Sequence, residues 1–258
     1  MQTPFDQGQP MRFSYSAVWN DTVALLRSHG SLLLAIAGVF IFIPLLMTGY
    51  LLPAPQSTAD PLGAIGTYYS NNWLWLTLSS LVNAVGSIAI YRLIFADGGT
   101  TVGQAIAGAM PLLVFYFLLS IILSLAIGIG FALFVIPGIY LLGRLIAAAP
   151  AMVAESRRNP ADALGESWRL TKGRGWAVAG LVLIVGIAGA LLSFVVVAVL
   201  GSIFILLGGR DGIGGLLLLI LNAAANAALY TVLIVLIASV YRALRGAGTA
   251  PVDLTKGI

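Results

Sequence analysis

Long apolar runs separated by short stretches of mixed polarity fill this chain from Ser31 onward. Six of them run Ser31 to Leu52, Trp73 to Ile94, Leu112 to Ile136, Gly138 to Ala154, Trp176 to Leu207 and Gly215 to Leu244. Each is close to or above the roughly 20 mostly apolar residues that carry a helix across a bilayer. The runs are continuous rather than alternating with period two, so the pattern is not that of a membrane β-barrel. Only Pro137-Gly138 separates the third run from the fourth, which predicts a tight helical hairpin there. The reading is an all-α, polytopic membrane helix bundle: six transmembrane helices arranged as three hairpins.

A short segment with one apolar and one polar face precedes each pair of spans. The first is Phe13 to His29, with Val18, Trp19, Thr22, Leu25 and Leu26 on its apolar face and Gly30 at its end. The second is Thr101 to Met110, where Thr101 and Gln104 have capping-box spacing. The third is Pro160 to Lys172: Asn159 caps, Pro160 takes the first helical position, Gly173 stops the helix, and Ala161, Leu164, Trp168 and Thr171 form the apolar face. Such helices lie in the headgroup plane. They serve either as a structural cuff that orients each hairpin or as sensors of leaflet and curvature. Tyr91-Arg92 near the end of the second span matches Tyr241-Arg242 near the end of the sixth, and Asp97 and Glu155 hold similar places. An internal repeat is therefore expected, with units of about 13–97, 100–156 and 159–247. Residues 13–250 form a single membrane domain, between a disordered N-terminus (1–12) and a C-terminal tail (251–258). Met1 to Gly30 is too polar for a cleavable signal, so the first span is expected to act as an uncleaved insertion signal.

Composition sharpens this picture. Residues are 60% hydrophobic and 9% charged, against about a quarter charged in an average soluble domain, and the mean hydropathy is +1.02. The absence of cysteine excludes disulfides, thiolate metal sites and lipidated cysteines. With a single histidine and no acidic cluster, no metal and no cofactor is expected.

Charge sets the orientation. With a cytoplasmic N-terminus, Arg12, Arg27, Arg92, Arg157, Arg158, Arg169, Lys172, Arg174, Arg242, Arg245 and Lys256 all lie inside, Arg210 lies outside and Arg144 falls within the fourth span. The positive-inside rule favours that arrangement, with both termini cytoplasmic in a bacterial inner membrane. Tyr68, Tyr69, Trp73 and Trp75 suit an outer aromatic belt, and Trp168 and Trp176 an inner one. The net charge of +4 does not point to nucleic acid, because the basic residues are scattered at helix ends among Asp97, Glu155, Asp162 and Glu166. The expected partners are membrane lipids, with a weak attraction to anionic headgroups, and other membrane proteins or a second copy of the chain.

Within the spans, small and polar residues form stripes. Ser120, Ser124, Gly128 and Ala132 follow one another at i+4, Gly186 with Ala190 and Gly189 with Ser193 mark the fifth span, and Ser79, Asn83 and Ser87 line one side of the second. Asn222 and Asn226 do so in the sixth. These stripes read as packing faces rather than a pore lining. Asn83, Asn222 and Asn226 are the candidate buried polar partners. Arg144 is the candidate that needs explaining: it lies about 10 Å along the helix from the turn at Pro137-Gly138, inside the hydrocarbon layer. An ionisable residue there is a site hypothesis by default. It snorkels to the outer headgroups, clamps buried carbonyls and asparagines, or binds an anion such as a lipid phosphate. Glu155 lies three turns away, too far to pair with it along a straight helix. Pro150 leaves the carbonyl of Ile146 without its helical partner.

The run Pro137-Gly138-Ile-Tyr140, Arg144, Ala149-Pro150, Val153 and Glu155, followed by Ala163-Leu164 and Ser167-Trp168-Arg-Leu-Thr-Lys172-Gly173, resembles the membrane domain of glycerophosphoryl diester phosphodiesterases. It is also similar to the YciC-like inner-membrane proteins. In that family the membrane domain is in some members fused to a soluble catalytic barrel. A barrel takes about 200 residues, and few follow the last span here, so the resemblance does not extend to the phosphodiesterase activity. The stand-alone relatives are linked to envelope or membrane maintenance. The expectation is a non-enzymatic inner-membrane protein that organises lipid or envelope or scaffolds partners. The alternative is a small transporter or channel for an anionic, phosphate-bearing solute or lipid, with Arg144, Asn83, Asn222 and Asn226 on one path.

Overall fold

The computed structural model describes residues 14–52, 60–96 and 101–246. Arg12, Phe13, Asp97 and Lys256, with the proposed N-terminal and C-terminal tails, lie outside them. The described residues hold helices and turns, and no strand. In chain order the helices are α1 (Tyr15–Ser28), α2 (Gly30–Ala37), α3 (Ile43–Leu51), α4 (Pro61–Phe95), α5 (Val102–Ala109), α6 (Leu113–Leu133), α7 (Val135–Leu145), α8 (Ala148–Ala154), α9 (Pro160–Leu170), α10 (Gly175–Gly208) and α11 (Ile213–Gly246). Six helical stretches are long and apolar enough to cross a membrane: Gly30–Leu51, Gly63–Phe95, Val102–Leu133, Val135–Ala154, Gly175–Gly208 and Ile213–Gly246.

Local chemistry explains where these elements start and bend. Ser14 accepts a hydrogen bond from the Ala17 N–H, Asp60 from Gly63 and Asn159 from Ala161. Thr101 and Gln104 form a reciprocal capping box on α5, satisfying N–H groups that a helix start leaves free. Gly173 takes φ +75°, the left-handed conformation that ends a helix. The first span is one continuous stretch, but a π-helical turn at Gly38–Phe42 joins α2 to α3. Pro44 lacks an N–H and its ring crowds the preceding turn, and the wider turn accommodates both effects. The hairpin turn between the third and fourth spans falls at Phe134, three residues before the expected Pro137-Gly138. Phe134 is extended at φ −160°, while Pro137 and Gly138 sit in the first turn of α7, where a proline lacks no needed donor. Gly138 is required there: a Cβ would lie 2.5 Å from the Phe131 ring of α6.

Ion pairs among Glu155, Arg157, Glu166 and Arg245 gather at one end of the bundle, hereafter the basic end. The buried core lies toward that end, where Ile36, Ile41, Ile88 to Ile94, Met152, Val235 and Ala238 meet. By contrast α6 and α10 keep long exposed apolar faces, such as Leu125 and Ile129 on one and Leu191, Phe194 and Leu206 on the other. For a chain with six spans these faces meet lipid. The short helices pack in a regular order: α1 on α11, α5 on α4 and α9 on α8. Helix α1 turns Val18, Thr22 and Leu25 inward and leaves Tyr15 and Trp19 exposed.

Candidate functional site

Between the first span, α4, α6 and α11 lies a groove of about 1010 Å³. Its polar lining is Thr77, Ser80, Asn83 and Ser87 from α4, Ser120 and Ser124 from α6, and Asn226 from α11, with Tyr116 and Tyr230. Among the described residues no charged one lines it. Because exposed Trp73, Leu125 and Tyr230 are part of its wall, the groove opens on the flank of the bundle. It extends from Tyr69 to Ser87, about 27 Å along α4.

Five of the groove's polar side chains spend a donor on their own helix. Asn83 donates to the Ser79 carbonyl at 2.8 Å, Ser80 to Leu76 at 2.8 Å, Ser87 to Asn83 at 2.9 Å and Ser120 to Tyr116 at 2.9 Å. The Asn226 amide donates to the Asn222 side-chain oxygen at 2.8 Å and to its carbonyl at 2.9 Å. The hydroxyl lone pairs and the Asn83 oxygen remain as acceptors. Such a surface suits a ligand with hydroxyl or amine donors and long apolar parts.

Arg144 occupies a different place. It is 5% exposed and sits at the basic end, with its Cδ 2.8 Å from where a Cβ on Gly175, the first residue of α10, would stand. Its guanidinium carbon lies 4.1 Å from the Trp168 ring centroid, a cation–π stack. Tyr140 lies between Trp168 and Trp176, edge-on to the first with centroids 6.2 Å apart and tilted by 46° to the second at 5.7 Å. The helix breaks after α7 at Ile146–Ala147, so the Arg144 carbonyl is among those left without a helical donor. Ser167 donates its hydroxyl at 2.8 Å, and the Thr171 hydroxyl lies 3.1 Å away, shared with the Ser167 carbonyl at 2.7 Å. Helix α9 accordingly buries Ala163, Glu166, Ser167 and Thr171 and leaves Ala161 and Trp168 exposed. Replacing both donors (Ser167→Ala with Thr171→Val) leaves that carbonyl buried and unsatisfied. We expect a loss of about 2 kcal/mol, read as a lower melting temperature in detergent, with either single variant costing clearly less.

Glu155 and Glu166 anchor the basic end. Glu155 pairs with Arg157 and Arg245 and accepts from the Tyr241 hydroxyl at 2.9 Å. Glu166 accepts from Arg169 Nε at 3.0 Å and Nη2 at 2.6 Å, with Arg157 and Arg245 each 3.9 Å away. Asp21 of α1 pairs with Arg242 of α11 at 3.3 Å. The Arg169 hydrogen bonds hold the Glu166 carboxyl below its ordinary 4.5; burial opposes this, and the charges of Arg169 and Arg157 add to it. A depressed carboxyl contributes stability that is complete above the unfolded value and is lost as pH falls through the folded one. Melting temperature should therefore fall below about pH 4.5, and Glu166→Gln should flatten part of that fall.

The candidate residues thus divide among three places. Asn83 and Asn226 share the groove, and Asn222 supports Asn226 from the next turn. Arg144 stands apart with α9 and α10, and Glu155 belongs to the ion network. Arg144 and Asn222 do not line the groove that Asn83 and Asn226 share, so the described residues form no single path through all four. The motif residues Pro137, Gly138, Tyr140, Arg144, Pro150, Glu155, Ser167, Trp168, Lys172 and Gly173 lie along α7, α8, α9 and the turn after it. There Pro150 is buried in α8 and Lys172 is exposed. The groove residues Ser80, Tyr116 and Tyr230 escaped the sequence reading; the Ser120-Ser124 stripe was the signal, taken there as a packing face.

A family model described as the membrane domain of glycerophosphoryl diester phosphodiesterase matches residues 116–245. That is half of the chain, from Tyr116 in the groove to Arg245 in the ion network. The chain belongs to this family. The matched part of this phosphodiesterase membrane domain contains the whole α7–α8–α9 joint. No curated protein and no solved structure matches the chain.

Proposed function

We propose that this protein is a non-enzymatic bacterial inner-membrane protein that holds a lipid in its flank groove and so organises lipid in the envelope. The observation that carries this reading is the uncharged polar lining of a 1010 Å³ groove open on an apolar flank. A volume at the upper end of small-molecule pockets, with acceptors along one wall and apolar side chains beside them, suits a hydroxyl- or amine-bearing lipid. It suits an anionic solute poorly, since no cation among the described residues lines it. The basic end faces the cytoplasm in this reading, as the positive-inside rule favours. Helices α1, α5 and α9 then form a cuff at that leaflet. Their cyclic docking on α11, α4 and α8 supports a threefold repeat of short helix plus hairpin.

Native mass spectrometry of the protein extracted from its own membranes tests the proposal, beside the double variant Asn83→Leu with Asn226→Leu. A retained lipid in the native protein, reduced at least about tenfold in the variant, is the expected result. The same lipid adducts on both proteins would overturn it.

A further inference from the structure

At the basic end four arginines are matched to carboxylates, and Arg92 is not. Arg157 and Arg245 have Glu155, Arg169 has Glu166, and Arg242 has Asp21. Arg92, which follows Tyr91 as Arg242 follows Tyr241, has no hydrogen bond or ion pair among the described residues, and its Nε is buried without a partner. Arg144 also has an unpartnered Nε, but Trp168 covers its guanidinium. Arg92 instead borders a cavity of about 350 Å³, lined also by Gln104, Ser156, Phe95, Ala105 and Val153.

The geometry points to a phosphate-ester site at Arg92, Gln104 and Ser156, separate from the groove and independent of the lipid reading made for it. Three features converge. The guanidinium packs against α5 at Gly108, where a Cβ would stand 2.3 Å from Arg92 Nη1 and 2.8 Å from Cζ. Gln104 uses its side-chain oxygen on the Thr101 N–H at 3.0 Å, leaving its amide hydrogens to donate. Ser156 adopts φ +50° with its N–H on the Val153 carbonyl at 3.3 Å, a turn that places it in the cavity wall. Guanidinium, amide and hydroxyl donors share this lining with no carboxylate among its described residues, and an unpaired, partly buried arginine is costly without an anion. The planar guanidinium fork matches the oxygens of phosphate. A cavity of 350 Å³ leaves room for the attached alcohol. The ester is either a phospholipid headgroup at the leaflet surface or a free phosphate monoester.

The test uses the full chain with two probes. One is nanodiscs of phosphatidylglycerol diluted into phosphatidylcholine, scored by bound-lipid mass spectrometry. The other is glycerol phosphate titrated into protein in neutral detergent, scored by thermal shift. Arg92→Gln should weaken binding of whichever probe binds by at least about tenfold. Gln104→Glu keeps the helix cap while placing a carboxylate in the cavity, so it should weaken binding similarly with the fold intact, which decides the matter if Arg92→Gln folds poorly. Asn83→Leu with Asn226→Leu should leave this site unchanged. Binding in the nanodisc arm alone assigns a headgroup, and binding in the detergent arm assigns a free ester. No binding in either arm, or undiminished binding by a well-folded Gln104→Glu, would overturn the site.

Discussion

Replacing Glu155 by Gln should destabilise the basic end more than removing any other carboxylate there, by about 3 kcal/mol. Glu155 takes two arginines and the Tyr241 hydroxyl, and so ties the end of α8 to α11. Its loss leaves Arg157 and Arg245 sharing Glu166, 3.9 Å from each, while Glu166 already receives both bonds from Arg169. Breaking one side of a buried ion pair costs about 3–5 kcal/mol. The Glu155 side chain is 20% exposed, which places the effect at the low end of that range. Glu166→Gln should cost less, because its main partner Arg169 is 69% exposed and can turn to water. A double-mutant cycle with Arg245→Gln checks the origin of the effect. If the pair is the cause, the double variant will lose markedly less than the sum of the two singles. Simple additivity would mean that Glu155 acts through Arg157 and Tyr241 instead.

The second large effect is expected at Gly143. A Cβ there would lie 2.2 Å from the Gly175 carbonyl oxygen and 2.7 Å from the Ala179 Cβ. The first is backbone, which no rotamer change can move, so Gly143→Ala must push α7 away from α10. Overpacking of this kind costs about 1–3 kcal/mol and occasionally more. We expect the upper part of that range, because the shift also parts Arg144 from Trp168 and its carbonyl from Ser167 and Thr171. Gly165→Ala is the control. No atom lies within 4 Å of its would-be Cβ on exposed α9, so helix propensity should raise stability by up to about 1 kcal/mol. Melting curves of both variants in one detergent decide the point, and equal losses would show that the crossing of α7 and α10 is looser than described.

The spans were legible in the sequence because length and hydropathy alone determine them. Three of the predicted caps, at Thr101, Asn159 and Gly173, were legible because each is a local exchange between a side chain or backbone angle and a helix end. What escaped depends on neighbours. Arg144 lies within the fourth span, as read, but its neighbours were not legible: the packing of α7 on α10 sets it beside Gly175, and Trp168 of α9 stacks on it. The inward face of α9 is not readable from hydrophobicity, because hydrogen-bond donors for the Arg144 carbonyl choose it. The serine and asparagine stripes were seen, but small polar residues line a groove and a helix contact equally well, and only the spacing of α4, α6 and α11 separates the two. The proline at 44 was plain, yet the π-helical turn it brings at Gly38–Phe42 has no sequence signature of its own.

The most direct measurement is an experimental structure of the protein in nanodiscs of its native lipids. The account predicts an elongated lipid density in the groove between α4, α6 and α11, with its polar part against Asn83, Ser87 and Asn226. A groove closed by neighbouring helices, or filled by the helix of another protein, would contradict it.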